Sequence, residues 1–217
     1  MSELKREAGR VAVRPLLDVS GLACRRGGMD LFSQLNFALA PGEFLLVKGE
    51  NGCGKTTLLR ALCGLTRPVA GVVRWRGESV WGHDAFAAEL HYVGHREAVK
   101  DELTPLENLV VSGGLRGERY SEAACEGVLA EVGLAEAGVV PVRYLSQGQR
   151  RRCALARMLL SPAKLWILDE PYNALDQAAV EWLSNRVRDH LAGGGIVVAT
   201  SHQPVTGVPE PRVLNLG

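Results

Sequence analysis

Three features of the 217-residue sequence predict an α/β domain built on parallel strands, with a helical lobe inserted in it. Short unbroken apolar runs, Phe44-Leu45-Leu46-Val47, Leu165-Trp166-Ile167-Leu168 and Ile196-Val197-Val198-Ala199-Thr200, have the pattern of strands covered on both faces. Segments of helical period separate them, which is the order that gives parallel pairing. Between about residues 96 and 160 the helical character is continuous, and that stretch reads as the lobe.

Taken in order, residues 1–14 read as a loose tail and residues 15–217 as one domain, with neither an internal repeat nor a low-complexity linker to mark a second. LLDVSGL and LFSQLNFAL are the first apolar runs, and Ala40-Pro41-Gly42 turns the chain into the first buried strand. Thr56 to Gly64 is helical, with Leu58, Leu59 and Leu62 on one face and Gly64 placed to end it. Val72–Trp75 and Leu90–Val93 read as strands. TPLENLVVSGGL, SEAACEGVLAEVGL (Ser121 its N-cap) and QGQRRRCALARMLL are the lobe helices. A helix from Leu175 to Leu191 and a strand from Val213 to Leu216 complete the reading.

Composition narrows the function classes. With 47% hydrophobic and 23% charged residues the chain has the balance of a soluble globular protein. Lys and Arg number 25 against 24 Asp and Glu, so bulk charge gives no hold on nucleic acid. Five scattered cysteines without a C-x-x-C pair suit a reducing cytoplasm better than a disulfide framework or a zinc site. MSELKREAGRVAVR lacks the apolar core of a secretory signal. No apolar run reaches the roughly 18 residues of a membrane span, so membrane association is expected only through a partner.

Gly49-Glu50-Asn51-Gly52-Cys53-Gly54-Lys55-Thr56, followed by Thr57, matches G-x-x-x-x-G-K-[ST] between a buried strand and a helix. Glycines let successive N–H groups face phosphate oxygens, and the helix adds its N-terminal dipole. Lys55 is placed to reach the β- and γ-phosphates of ATP, and the Thr56 hydroxyl to ligate Mg²⁺. Cys53 reads as a small filler residue; the alternative is a thiol whose modification disturbs nucleotide binding. Asp169 and Glu170 end the strand LWIL, where two adjacent acids are costly unless charge chemistry employs them. Asp169 suits the metal's coordination shell, and Glu170 the base that polarises the attacking water.

Leu145-Ser146-Gln147-Gly148-Gln149 opens a helix upstream of that acid pair. In this order, phosphate loop, L-S-x-G-Q and apolar run with Asp-Glu, the chain resembles the nucleotide-binding domain of ABC transporters. Ala174-Leu175-Asp176 is similar to that family's D-loop, and His202 in ATSHQ to its switch histidine. The resemblance implies an ABC-type P-loop NTPase fold with N-terminal antiparallel β strands. It also implies a homodimer in which Ser146, Gly148 and Gln149 of one copy cap the γ-phosphate of ATP held in the other's loop. Asp176 then communicates across the seam, and His202 contacts the γ-phosphate and holds Glu170 and the water in line; a satisfied core imidazole is the plainer alternative for a lone histidine.

Two positions depart from the family pattern. His95 stands where the family has its Q-loop glutamine, and is assigned to the metal-bound water although an imidazole titrates near neutral pH. The aromatic residue that stacks on adenine is replaced in LACRRGG by Arg26 or Arg25, and a guanidinium can stack on a base. Arg150, Arg151 and Arg152 read as a solvated helix face, with a phosphate or partner contact the alternative.

Gly94-His95, the run from Lys100 to Leu109, LWILDEP and His202-Gln203 narrow the resemblance to the CcmA family, the ATP-binding subunits of bacterial cytochrome c maturation. That resemblance implies peripheral attachment at the cytoplasmic face of the inner membrane, with membrane subunits resembling CcmB and CcmC and a haem chaperone, CcmE. Haem export, or release of the haem-loaded chaperone, would be the work driven. The alternatives are an ABC ATPase for another solute and, from a different class, a soluble ABC ATPase acting on nucleic acid or the ribosome.

Overall fold

A computed structural model describes residues 14–217, so the expected tail at residues 1–14 lies, except for Arg14, outside the described residues. Two sheets form the body of the domain. β1 (Leu17–Arg26) and β2 (Met29–Leu39) make an antiparallel hairpin. Its turn is Gly27-Gly28, both at positive φ, the backbone that a two-residue turn between right-twisted strands requires. The hairpin carries both strands past the expected runs, and places Arg25 and Arg26 at the strand end. β4 (Ala70–Trp75) pairs antiparallel with β1, and the short β5 (Glu78–Ser79) with β4, giving the order β2-β1-β4-β5.

The second sheet is parallel. It contains β3 (Phe44–Lys48), β6 (Leu90–Val93), β7 (Leu165–Leu168), β8 (Ile196–Thr200) and β9 (Arg212–Asn215) in the order β6-β7-β8-β3-β9. Every residue of the central β7 and β8 is buried. One face packs with α1 (Lys55–Leu62) and the antiparallel sheet around Leu17, Leu58, Leu62 and Trp75. The other packs with α5 (Gln147–Leu160) and α6 (Gln177–Ala192) through Leu155, Met158, Leu183 and Val187. The predicted α/β class with N-terminal antiparallel strands is the fold found.

The lobe has its own core, formed by α3 (Pro105–Leu115), α4 (Glu122–Glu131) and the lobe-facing side of α5 around Leu109, Leu129, Val142 and Cys153. Each helix starts on a side-chain cap: Thr104 with Glu107, Ser121 alone, and Ser146 with Gln149. α5 contributes to both the lobe core and the sheet core, so it joins the two parts mechanically. α6 begins at Gln177, two residues later than expected, because Asp176 accepts a hydrogen bond from the Ala179 N–H and is the N-cap. The short α2 (Phe86–Glu89) has too few residues for its period to show in the sequence.

Two histidines, His91 buried and His190 partly buried, are held in the fold as neutral groups. His91 has no hydrogen-bond partner on either ring nitrogen among the described residues. Burial, with the charges of Arg157 and Arg116, pushes its pKa down to about 3. His190 stacks flat on Trp166 at 3.8 Å, and burial lowers its pKa to about 4. The unfolded chain therefore takes up protons first as pH falls below about 6.5. Stability should be full above that pH and fall toward pH 4, by on the order of 2–3 kcal/mol for each histidine. Thermal unfolding against pH checks this: His91→Phe should flatten the decline, and an unchanged slope would contradict the assignment.

Candidate functional site

The carboxyl ends of β3, β6, β7 and β8 lie side by side in the parallel sheet, the edge where open α/β sheets place their ligands. β3 delivers the glycine loop. Gly49 sits at φ +153, and a Cβ there would stand 2.4 Å from the Leu216 carbonyl oxygen and 2.6 Å from Cys53 Sγ, so only glycine fits. Cys53 packs partly buried against the first core. Gly54 is the left-handed N-cap of α1 and supplies no side-chain cap, which leaves the first N–H groups of the helix to an external acceptor. Lys55 Nζ is held over the loop by the carbonyl oxygens of Gly49 (2.7 Å) and Glu50 (3.1 Å).

β7 and β8 deliver the acids. Asp169, 3% exposed, accepts from Thr56 Oγ1 at 2.9 Å and from Thr200 Oγ1 at 2.7 Å. The Thr200 hydroxyl also accepts from the Glu170 N–H at 2.9 Å, so a single side chain fixes both acidic residues. Glu170 has φ +50, a strained backbone for a residue with a side chain, and strain of this kind concentrates at functional sites. Its Oε2 accepts from the His202 N–H at 3.2 Å. Its Oε1 lies 3.3 Å from His202 Nε2 without the alignment of a hydrogen bond, and is left as a buried, unpaired oxygen. The structure thus joins Lys55, Thr56, Asp169, Glu170 and His202 into one constellation. His202 is half exposed and sits beside Glu170, which excludes a satisfied core imidazole.

Two clefts flank the loop. One, of about 420 Å³, brings Arg25, Arg26 and Arg60 together with Thr56 and Thr57; Arg25 is also paired with Asp30 at 2.7 Å. The other, of about 310 Å³, runs from Gly49 to Ser201 and His202. His95 is exposed, two residues beyond the end of β6 at Val93. Glu50 and Asn51 are exposed within the loop.

Ser146, Gly148 and Gln149 stand at the tip of α5. Ser146 Oγ accepts from the Gln149 N–H at 3.2 Å, and Gln149 Oε1 from the Ser146 N–H at 2.9 Å. A Cβ on Gly148 would meet the Ala174 carbonyl oxygen at 2.9 Å, so the tip packs tightly on the turn that leads to Asp176. Among the described residues no hydrogen bond joins this tip to the phosphate loop of the same chain.

Two residues escaped the sequence reading. Thr200 was legible only as the end of a strand. Arg151 is 4% exposed, and its guanidinium donates to main-chain carbonyls (Gly94, Asp169, Glu170, Pro171), which overturns the solvated-face reading for this member of the arginine run. Burial forced this: Arg151 lies on the helix face of Ala154, Leu155 and Met158, at i+3, i+4 and i+7. That spacing was the available signal. Arg150 pairs with Asp101 at 2.8 Å, and Arg152 reaches the Val132 carbonyl at the start of the α4 exit.

Residues 32–173 match the family model described as ABC transporter. Curated relatives extend the match over nearly the whole chain. A protein of Dechloromonas aromatica named cytochrome c biogenesis ATP-binding export protein CcmA is 49% identical over 93% of this chain and 98% of its own. One of the same name from Methylococcus capsulatus is 49% identical over 92% and 97%. The chain is an ABC-type ATPase of the CcmA family. A putative ABC transporter ATP-binding protein of Pyrococcus furiosus shares the fold of this CcmA-family chain at 22% identity, with a TM-score of 0.78 over 92% of this chain and 96% of that one. The structure of an ATP-binding subunit of an ABC transporter gives 0.76 at 26% identity, over 86% and 80%. No helix among the described residues is long and apolar enough to cross a membrane.

Proposed function

We infer that two copies of this chain close head to tail on two ATP molecules, and that their hydrolysis drives an export complex of cytochrome c maturation. The observation that carries the reading is the continuous hydrogen-bonded path from Thr56 in the phosphate loop through Asp169 and Thr200 to Glu170 and His202. It ties the Glu170 carboxylate to the loop, while the serine tip of α5 makes no hydrogen bond to that loop among the described residues, which supports its reception of a second copy's nucleotide.

A divalent cation fits the donor set. Thr56 Oγ1 and Asp169 Oδ2, 2.9 Å apart, are hard oxygen donors, and no cluster of three or more His, Cys, Asp or Glu exists among the described residues. Such a sparse set suits Mg²⁺ held largely by phosphates and water. When bound, Mg²⁺ neutralises charge building on the β- and γ-phosphate oxygens. Lys55 adds a fixed positive charge there, and the loop N–H groups orient the phosphates. Glu170 Oε1, buried and unpaired, takes the proton of the attacking water, with His202 holding that carboxylate in line. His95, exposed after Gly94, takes the Q-loop position and would hydrogen-bond to water on the cation. Arg26 supplies a guanidinium face for adenine at the mouth of the cleft it shares with Thr57. Asp176, beside the contact of Gly148 with Ala174, lies where the second copy would meet the chain.

The names of the relatives support cytochrome c biogenesis as the task and export as its mode. Attachment at the cytoplasmic face of the inner membrane, through subunits of the CcmB and CcmC type with the haem chaperone CcmE, is part of the same proposal. Lys55→Ala tests the whole reading. ATP affinity of the purified chain should fall at least about tenfold, because charge-assisted contacts to the phosphates are lost. Cells carrying that variant in place of the native chain should lose holocytochrome c. Unchanged haem-bearing cytochrome c would overturn the assignment.

A further inference from the structure

Arg151 is a buried charge with no carboxylate in ion-pair contact among the described residues; its four acceptors there are main-chain carbonyls from two segments. Nη2 donates to the Asp169 and Glu170 carbonyls at 2.8 and 2.7 Å, Nη1 to that of Gly94 at 3.1 Å, and Nε to that of Pro171 at 3.4 Å. Burial lowers its pKa, and the nearby charges of Glu97, Asp169 and Glu170 offset part of that cost. A desolvated guanidinium is expensive to keep, and fold stability alone is served as well by an apolar side chain of similar volume. Its contacts are also selective. They hold the strained peptide of Glu170 from behind while the carboxylate faces His202, and they hold the residue just before His95.

The guanidinium belongs to α5. Its Cα lies five residues, about 7.5 Å of helix axis, from the Ser146 cap. The tip and the arginine belong to one uninterrupted α-helix of 14 residues, so a shift of the tip along its axis would carry the arginine with it.

We propose that Arg151 is a positioning residue for ATP hydrolysis, coupling the Ser146 tip of α5 to the peptide of Glu170 and to the His95 loop. Engagement of the tip by the second copy's nucleotide is thereby sensed at the base of the same chain. Only a planar fork serves in full, since a lysine offers one nitrogen and cannot reach all four carbonyls together. The inference rests on Glu170 acting as the base.

The test measures kcat, ATP affinity by calorimetry and thermal stability of the full chain for Arg151→Met and Arg151→Lys. In Arg151→Met, kcat per folded molecule should fall 10- to 100-fold with ATP affinity within threefold of native, and Arg151→Lys should recover part of that loss. A kcat within twofold of native in Arg151→Met, with only lower thermal stability, would make the arginine a core strut and overturn the proposal. Loss of ATP affinity at native kcat would overturn it too. Should the methionine variant fail to fold, Arg151→Lys decides alone, and native kcat there counts against the coupling. Glu170→Gln measured alongside separates the failures: if it keeps turnover the base assignment fails, and if it is inactive while Arg151→Met is native only the coupling fails.

Discussion

Glu170→Gln should abolish steady-state ATP hydrolysis, lowering kcat by about 10²–10⁴-fold, the range a positioned general base supplies. The substitution is nearly isosteric. The Glu170 N–H would keep its bond to Thr200 Oγ1, and an amide oxygen can still accept from the His202 N–H. What is lost is the basicity of Oε1, the oxygen that has no hydrogen-bond partner among the described residues. ATP binding should stay within about twofold, because the carboxylate lies just past the end of β7, and the lysine and loop N–H groups proposed to grip the phosphates lie at the start of α1 and in the loop between β3 and α1. With binding intact and turnover gone, the closed pair should accumulate, visible as an ATP-dependent dimer by size-exclusion chromatography with light scattering. Native turnover in the variant would remove Glu170 as the base. An inactive variant that stays monomeric with ATP would leave the base in place and contradict closure by nucleotide.

Ser146→Trp is expected to have an effect of similar size by another route. Ser146 caps α5, and losing that cap costs about 1 kcal/mol, too little to unfold the domain. The phosphate loop of the same chain makes no hydrogen bond to the tip, so ATP affinity of a single copy should hardly change. Turnover should nevertheless fall at least about 10²-fold, since an indole fills the place where the γ-phosphate of the other copy would be received. If the tip served only its own chain, the variant would turn over at the native rate.

Much of the fold was legible because burial on both faces leaves strands with continuous apolar runs. LWIL and IVVAT are the strands β7 and β8 residue for residue, and α5 spans the predicted QGQRRRCALARMLL. Caps located helix starts for the same local reason: Ser121 and Ser146 accept from N–H groups three residues on, a relation contained within a few residues of chain. What did not show depended on partners distant in sequence. Thr200 matters because it lies between residues 169 and 170 across the sheet, and nothing in ATSHQ states that. Arg151 looked like one of three surface arginines. Its burial comes from the face of α5 that meets the sheet, and its partners lie 18 to 57 residues away. The site's motifs were readable because they are compact, whereas the bonds that hold the motifs together are tertiary.

Mixing two inactive variants tests the clamp between copies most directly. Lys55→Ala spoils the loop and leaves the serine tip intact, and Ser146→Trp does the reverse. A mixed pair restores one complete site, formed by the loop of the Ser146→Trp copy and the tip of the Lys55→Ala copy. Each variant alone should hydrolyse almost no ATP, and an equimolar mixture should regain turnover well above the sum of the two. If the mixture stays as inactive as its parts, or if Ser146→Trp alone is fully active, nucleotides are not held between two copies of this chain.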